Sequence, residues 1–171
     1  LTPSLKSYDM APPEGLSLYG TASHFRAVKY LSQISRMLGR EDRAAELDAW
    51  AGRIAESFNR EFFDPVSHTY HGENPTPYRQ AANVVPLEYG LTPDSQREAV
   101  LENLYADLDA KRDRIGTGFV GTMAMMDLLP QLDPERAYRL VTQPDYPGWG
   151  YMARSGSSTM WETWDGSCSL N

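Results

Sequence analysis

The chain is poor in cysteine, in histidine and in positive charge, and it has no long apolar run. Its single cysteine, Cys168, has no partner for an internal disulfide, so no disulfide framework is expected to organise the fold. That leaves the compartment open between cytoplasm, periplasm and secretion. Three histidines, His24, His68 and His71, leave little scope for metal binding. His68 and His71 are three apart, but only Glu73 stands near as a further ligand, and a structural zinc site usually takes four protein ligands. Neither a metal nor an organic cofactor is expected. No stretch approaches the roughly 20 apolar residues of a bilayer span. Sixteen Lys and Arg face 23 Asp and Glu, for a net charge of −7. Nucleic acid and anionic membrane reward basic patches, so neither is an expected partner. A neutral or cationic ligand is easier to reconcile with that charge. The first residues, Leu1-Thr2-Pro3-Ser4, have neither the basic start nor the apolar stretch of a signal peptide. They also lack an initiator Met, as expected of a piece of a longer chain.

What the chain does have is helical periodicity, in pairs. A length of 171 residues with 41% hydrophobic content fits one domain. Thr21 can cap a helix striped by Phe25, Val28, Leu31, Ile34 and Leu38, with Gly39 as its stop. A second helix carries Leu47, Ala51, Ile54, Phe58 and Phe62 on one face and ends at Asp64-Pro65. After a polar stretch, a third runs from about Tyr78 to Tyr89 and is bent by Pro86. Thr92-Pro93 reads as a cap and first turn for a fourth, striped by Val100, Leu101, Leu104 and Leu108. Gly116 to Gly121 leads into an apolar fifth containing Phe119, Val120, Met123, Ala124, Met126, Leu128 and Leu129. Met123, Met125 and Met126 read as core filler. Asp133-Pro134 opens a short sixth that ends near Gln143. Three helical hairpins thus recur at intervals of roughly 45–50 residues, the scale of helical-repeat architectures. The second members (Glu41–Phe62, Asp94–Lys111, Pro134–Gln143) are charged and should form an outer layer. The third and fifth helices are nearly uncharged and should be buried on most sides.

Chemistry concentrates near the C-terminus. Three of the four tryptophans, Trp149, Trp161 and Trp164, fall in a window dense in Pro and Gly. Large apolar rings rarely crowd a solvated loop, because each wants cover. Trp161-Glu162-Thr163-Trp164-Asp165 brackets one carboxylate with indoles and follows it with another. Aromatic plates suit the C–H face of a sugar ring, and carboxylates suit its polar rim or reacting carbon. Partial desolvation would raise the pKa of Glu162 and fit it for proton transfer. A structural glutamate bonded to nearby backbone is the competing reading. Asp165-Gly166 is a turn dipeptide, so Asp165 divides between turn duty and sugar binding. Trp149, between Gly148 and Gly150, has room to act as a stacking plate or to anchor the loop. His24, early in the first helix, has a packed or capping role as its default. The Gly116–Gly121 run matches Gly-x-Gly-x-x-Gly in letters but follows no strand, so phosphate binding is not expected. Ser155, Ser157 and Ser158 lack the Gly-x-Ser-x-Gly frame of a nucleophile elbow.

Taken together, these motifs resemble the catalytic domain of bacterial α-L-rhamnosidases, glycosidases built on an (α/α)₆ barrel of six helical hairpins. Thr117-Gly118-Phe119-Val120-Gly121-Thr122 is similar to the family's Thr-Gly-Phe-x-Gly-Thr loop. Asp145 to Met152 is similar to its Tyr-Pro-x-Trp-x-Tyr-Met segment, and Ser158 to Gly166 to its Thr-Thr-x-Trp-Glu-x-Trp-Asp segment. Ser169-Leu170-Asn171 is similar to the start of Ser-x-Asn-His, and Gln80 ahead of an apolar helix also fits. The resemblance implies an all-α toroid, of which residues 1–171 form about the C-terminal half: three hairpins plus the active-site loop. It implies removal of terminal α-L-rhamnose from glycosides or polysaccharides with inversion, by two carboxylic acids. Glu162 corresponds to the general base. Trp149, Trp161, Trp164, Asp165, Thr117, Phe119 and His24 are the implied substrate contacts. Thr163 departs from the pattern, standing where the family often has arginine. The general acid belongs to a segment upstream of Leu1, and Glu41-Asp42-Arg43 matches it in letters only. The rest of the barrel and accessory β-domains are the implied partners, and the isolated 171 residues are expected to be inactive. Rival readings are another exo-glycosidase on the same barrel and a non-catalytic carbohydrate-binding helical domain. A lyase on a similar toroid would favour basic residues, of which the C-terminal loop offers only Arg154.

Overall fold

A computed structural model of the chain describes residues 12–161 and 163–166. Its elements run α1 (Ser17–Met37), α2 (Glu41–Phe62), β1 (Phe63–Asp64), β2 (Thr69–Tyr70), α3 (Gln80–Tyr89), α4 (Asp94–Ala110), α5 (Phe119–Leu132), α6 (Pro134–Thr142) and α7 (Trp149–Arg154). Each odd helix up to α5 packs on the even helix that follows it, and α3 also packs on both α1 and α5. The fold is therefore all-α in character: three hairpins side by side, with α1, α3 and α5 in one layer and α2, α4 and α6 outside. No helix among the described residues is long and apolar enough to cross a membrane.

Every residue of α3 from Gln80 to Leu87 is buried. The seam between α3 and α5 is close because position 121 has no side chain. A Cβ on Gly121 would lie 2.6 Å from the Cβ of Ala81. α6 starts as its sequence indicates: the Asp133 carboxylate accepts the Arg136 N–H at 2.9 Å, with Pro134 in the first turn.

Four local expectations are corrected. First, α1 begins at Ser17, and Thr21 lies inside it. Its leading N–H groups are served from far along the chain: Glu73 accepts from Leu16 N at 3.0 Å and from Ser17 N at 3.1 Å. A carboxylate there also complements the positive end of the helix. Second, the apolar stripe of α1 divides. Phe25 and Val28 are buried, whereas Leu31, Ile34 and Leu38 are at least half exposed. The face against α2 continues instead through Ser32, whose hydroxyl donates to the Ala44 carbonyl at 3.2 Å. Third, Thr92 is buried but does not cap α4; Pro93 stands at that position. Fourth, the fifth helix is open along one side, with Phe119, Val120 and Met123 exposed while Ala124, Met125, Leu128 and Leu129 are buried. Of the methionines read as filler, Met123 is thus on the surface.

The polar stretch after α2 contains an antiparallel two-stranded hairpin, pairing Phe63 with Tyr70 and Asp64 with Thr69. Asp64 organises its turn by accepting from Val66 N at 2.9 Å and Ser67 Oγ at 2.6 Å. The two histidines there are engaged separately. His68 Nδ1 lies 2.9 Å from Gln96 Oε1, and His71 Nε2 lies 2.8 Å from Thr69 Oγ1.

Candidate active site

The leading segments of α1, α3 and α5 lie at one end of the inner layer and are tied to one another. Gln80, the first residue of α3, is the central tie. Its Oε1 accepts the Gly116 N–H at 2.6 Å, and its Nε2 donates to Asp107 Oδ2 at 2.8 Å and to the Arg114 carbonyl at 3.2 Å. A buried amide with all these bonds made fixes the lead-in to α5. At the far side of α3's start, the buried Glu14 carboxylate accepts from the Tyr19 hydroxyl and lies 3.3 Å from Arg79 Nε. Burial, and after it the Glu14 carboxylate, push the Tyr19 phenol well above its ordinary pKa.

The tryptophan window folds back onto that lead-in. Trp164 Nε1 donates to the Thr117 carbonyl at 2.7 Å. Its ring meets Trp149 edge to face, with centroids 5.1 Å apart and planes at 83°. Both rings are partly buried against the core. Thr117 is itself buried, and its hydroxyl lies 2.8 Å from that of Thr122. Both polar atoms of Thr117 are thus used within the fold, where they hold the loop in place. Phe119, two residues on, is 63% exposed at the start of α5.

Trp161 belongs to a second aromatic cluster. It meets Tyr151 edge-on at 6.3 Å, and Tyr151 meets Tyr146 edge-on at 5.4 Å. Both tyrosines belong to the Asp145–Met152 motif, but neither stands among the substrate contacts that the resemblance implies. Asp165 accepts from the Thr163 hydroxyl at 2.8 Å, and Gly166 N donates to the Thr163 carbonyl at 3.2 Å. Turn duty is therefore real for Asp165.

The bareness around Trp149 has a packing reason. A Cβ on Gly150 would sit 2.4 Å from the Gln143 carbonyl oxygen, so α7 needs glycine there to lie against the end of α6. His24 makes its ring contact with the outer layer. It is exposed, and its ring meets Trp50 of the outer helix α2 edge-on at 5.2 Å. Glu162 lies outside the described residues, as do Cys168 and the Ser169–Asn171 motif. Among the described residues, no three His, Cys, Asp or Glu side chains come together as a metal site.

Paired helices in two layers, with aromatic loops gathered where the inner helices begin, place the chain in the class of all-α helical-hairpin domains. The chain belongs to the bacterial alpha-L-rhamnosidase 6 hairpin glycosidase domain family, which it matches over residues 2–170. It is 28% identical over 150 residues to an alpha-L-rhamnosidase of Alteromonas sp. (strain LOR), a match covering 87% of this chain and 16% of that protein. With an alpha-L-rhamnosidase of Streptomyces avermitilis the identity is 41% over 87 residues, covering 50% of this chain and 8% of the other. Among solved structures, the Streptomyces avermitilis alpha-L-rhamnosidase complexed with L-rhamnose gives a TM-score of 0.76 at 31% identity, covering 86% of this chain and 14% of that one. The alpha-L-rhamnosidase from Dictyoglumus thermophilum gives 0.74, also at 31% identity, covering 82% and 16%. The chain spans between 8% and 16% of the lengths of these relatives.

Proposed function

We propose that the protein carrying this domain removes terminal α-L-rhamnose from glycosides or polysaccharides with inversion, with Glu162 as its general base. The observation that carries this reading is the docking of Trp164 on the Thr117 loop and against Trp149. That contact joins three family motifs, those of Thr117–Thr122, Asp145–Met152 and Ser158–Gly166, the last of which contains position 162. Rhamnose has a methyl group where many hexoses carry a hydroxymethyl, so a pocket walled by indole and phenol rings suits it. Trp149, Trp161, Trp164 and Phe119 hold the sugar's apolar surface, and Asp165 reaches its hydroxyls from the turn. Thr117 acts as a positioning residue through Trp164. Glu162 takes a proton from the attacking water as the bond to the leaving oxygen breaks. A second carboxylic acid, supplied from outside this chain, protonates that oxygen. In inverting enzymes the two carboxyls stand about 6.5–9.5 Å apart, which leaves room for the water.

Residues 1–171 are on this reading the C-terminal part of the barrel. The open apolar faces of α1 (Leu31, Ile34) and α5 (Phe119, Val120, Met123) support further hairpins against both sides. Accessory β-domains lie elsewhere in the protein. The test is hydrolysis of an aryl α-L-rhamnoside by the full-length protein. Glu162→Gln should lower kcat by about 10²–10⁴-fold with little change in rhamnose affinity, and NMR should show the β-anomer released first. An unchanged kcat in Glu162→Gln removes the base from the scheme. The absence of any rhamnoside turnover in the parent favours a binding-only domain.

A further inference from the structure

A cavity of about 630 Å³ borders the loop that leads into α5. Gly116 lines it, while the next residue holds Trp164. Four of its lining residues are cations, Arg79, Lys111, Arg112 and Arg114, and none is a carboxylate. The net charge of −7 is a property of the whole chain, and this wall is locally positive. Three of the four cations have a carboxylate behind them. Arg79 has Glu14 at 3.3 Å, Lys111 has Asp107 at 2.6 Å and Arg114 has Asp145 at 2.5 Å. Among the described residues Arg112 has none.

Two buried donors on this wall also lack hydrogen-bond partners, Tyr78 Oη and Arg114 Nε, whereas Arg79 Nε is turned to Glu14. Buried polar atoms are rarely left so, and two on one cavity point to an acceptor from outside the chain. Burial, and after it nearby Asp107, push the Tyr78 phenol up, which keeps it a neutral donor. The cavity rim is also held in an unusual conformation. Arg112 and Asp113 both have left-handed φ, of 55° and 54°. Asp113 N bonded to Leu108 O at 2.8 Å and Gln143 Nε2 bonded to Arg112 O at 2.7 Å secure that turn. Two successive non-glycine residues in that region are kept only where surroundings fix them.

We propose that this cavity is an anion subsite that takes the carboxylate or sulfate ester of the sugar next to the rhamnosyl unit. Its place beside the rhamnose pocket rests on the function proposed above. A terminal rhamnose has one glycosidic neighbour, so the sugar reaching the cavity is the leaving group. Guanidinium groups pair carboxylate and sulfate oxygens through two parallel N–H bonds, which a neutral hexose cannot match. The substrate class is therefore a rhamnosyl unit on an acidic sugar.

The test uses the full-length protein with two disaccharides, rhamnosyl-glucuronate and rhamnosyl-glucose, and a neutral aryl rhamnoside. kcat/KM should favour the glucuronate, and Arg112→Gln should reduce that preference about tenfold while leaving the aryl rhamnoside unaffected. Lys111→Met, on the same rim, is the second variant and should move the preference the same way. Calorimetry with glucuronate, glucose and sodium sulfate reads the site without turnover. Glucuronate binding that sulfate does not displace assigns the site to a uronate. Displacement by sulfate assigns it to a sulfate ester. Arg112-dependent glucuronate binding without any rhamnoside hydrolysis sinks the rhamnosidase reading and leaves the anion site standing. Equal binding and turnover of the acidic and neutral sugars, or a preference unmoved by both variants, overturns the proposal.

Discussion

Helices α3 and α1 belong to the same inner layer, yet they treat their residues in opposite ways. α3 lies between α1 and α5, and it buries even its polar side chains. Asn83 accepts from Tyr70 N at 2.8 Å and donates to the Arg79 carbonyl at 2.9 Å, so its burial leaves nothing unpaired. α1 has a layer neighbour on one side among the described residues. It leaves Leu31 51% and Ile34 50% exposed, while Ser32 between them is fully buried. Side-chain type alone does not decide what is inside. The available neighbours decide, together with whether a buried polar atom finds its bond.

The sharpest way to break this contrast is to truncate one leucine on each helix. Leu87 in α3 is 1% exposed. Leu87→Ala should cost about 2–5 kcal/mol in chemical denaturation, from lost burial plus the cavity left behind. Leu31→Ala in the 171-residue chain should stay within about 0.5 kcal/mol, as surface changes do. In the full-length protein the same substitution should approach the cost at Leu87 if a further hairpin covers α1. A silent Leu31→Ala in both forms would mean that this face is solvated in the full-length protein and that no further hairpin packs there.

A second probe tests how tightly α3 is held on its other side. Gly121→Ala places a methyl 2.6 Å from the Ala81 Cβ and 2.9 Å from the Thr117 Cβ. Neither neighbour is the tip of a flexible chain, so the helices must part. The expected cost is about 1–3 kcal/mol. Because Thr117 holds Trp164, the displacement should also reach the tryptophan pair and change the near-UV circular dichroism. Full stability with an unchanged aromatic spectrum would show that the seam yields more readily than its spacing indicates.

Sequence pattern gave away the helices and their pairing because amphipathic period and Pro or Gly punctuation are local properties. Asp133-Pro134 did cap α6, and the stripe on α2 (Leu47, Ala51, Ile54, Phe58, Phe62) is buried throughout. The misreadings fall where distant residues intervene. Thr21 read as the cap of α1, but Glu73 serves that end from more than fifty positions away. The stripe on α1 could not reveal that Ser32 would replace Leu31 on the packed face. In the candidate site, tryptophan density and the family motifs singled out Trp149, Trp161 and Trp164, and the fold places Trp149 against Trp164 and Trp161 against Tyr151. Edge-on contacts from Tyr151 and Tyr146, and the three bonds of Gln80, depend on the folded path of loops and leave no periodic trace. The basic cavity was hidden for the same reason. Three of its cations, Lys111, Arg112 and Arg114, are close in sequence, but only the fold adds Arg79 to them, and their sum is lost in an acidic total.

The closed side of α1 offers the mildest test, because it is stapled partly by charge where α3 is held by packing. Asp48 on α2 accepts from Ser32 Oγ at 2.7 Å and from Arg36 Nη2 at 2.6 Å, and Lys29 Nζ lies 3.4 Å away. The Ser32 and Arg36 hydrogen bonds hold its carboxyl at about 2, below the ordinary 3.8. A carboxylate whose folded pKa is depressed contributes its stability above the unfolded value and loses it as pH falls through the folded one. The Tm of Asp48→Asn should therefore lie below that of the parent near neutral pH, and the gap should close as the pH falls from about 4 to about 2. The pair is solvent-facing, so added salt should narrow the gap as well. A gap that stays constant across that acid range would mean that the shape of the Asp48 side chain joins α1 to α2 and that its charge does not.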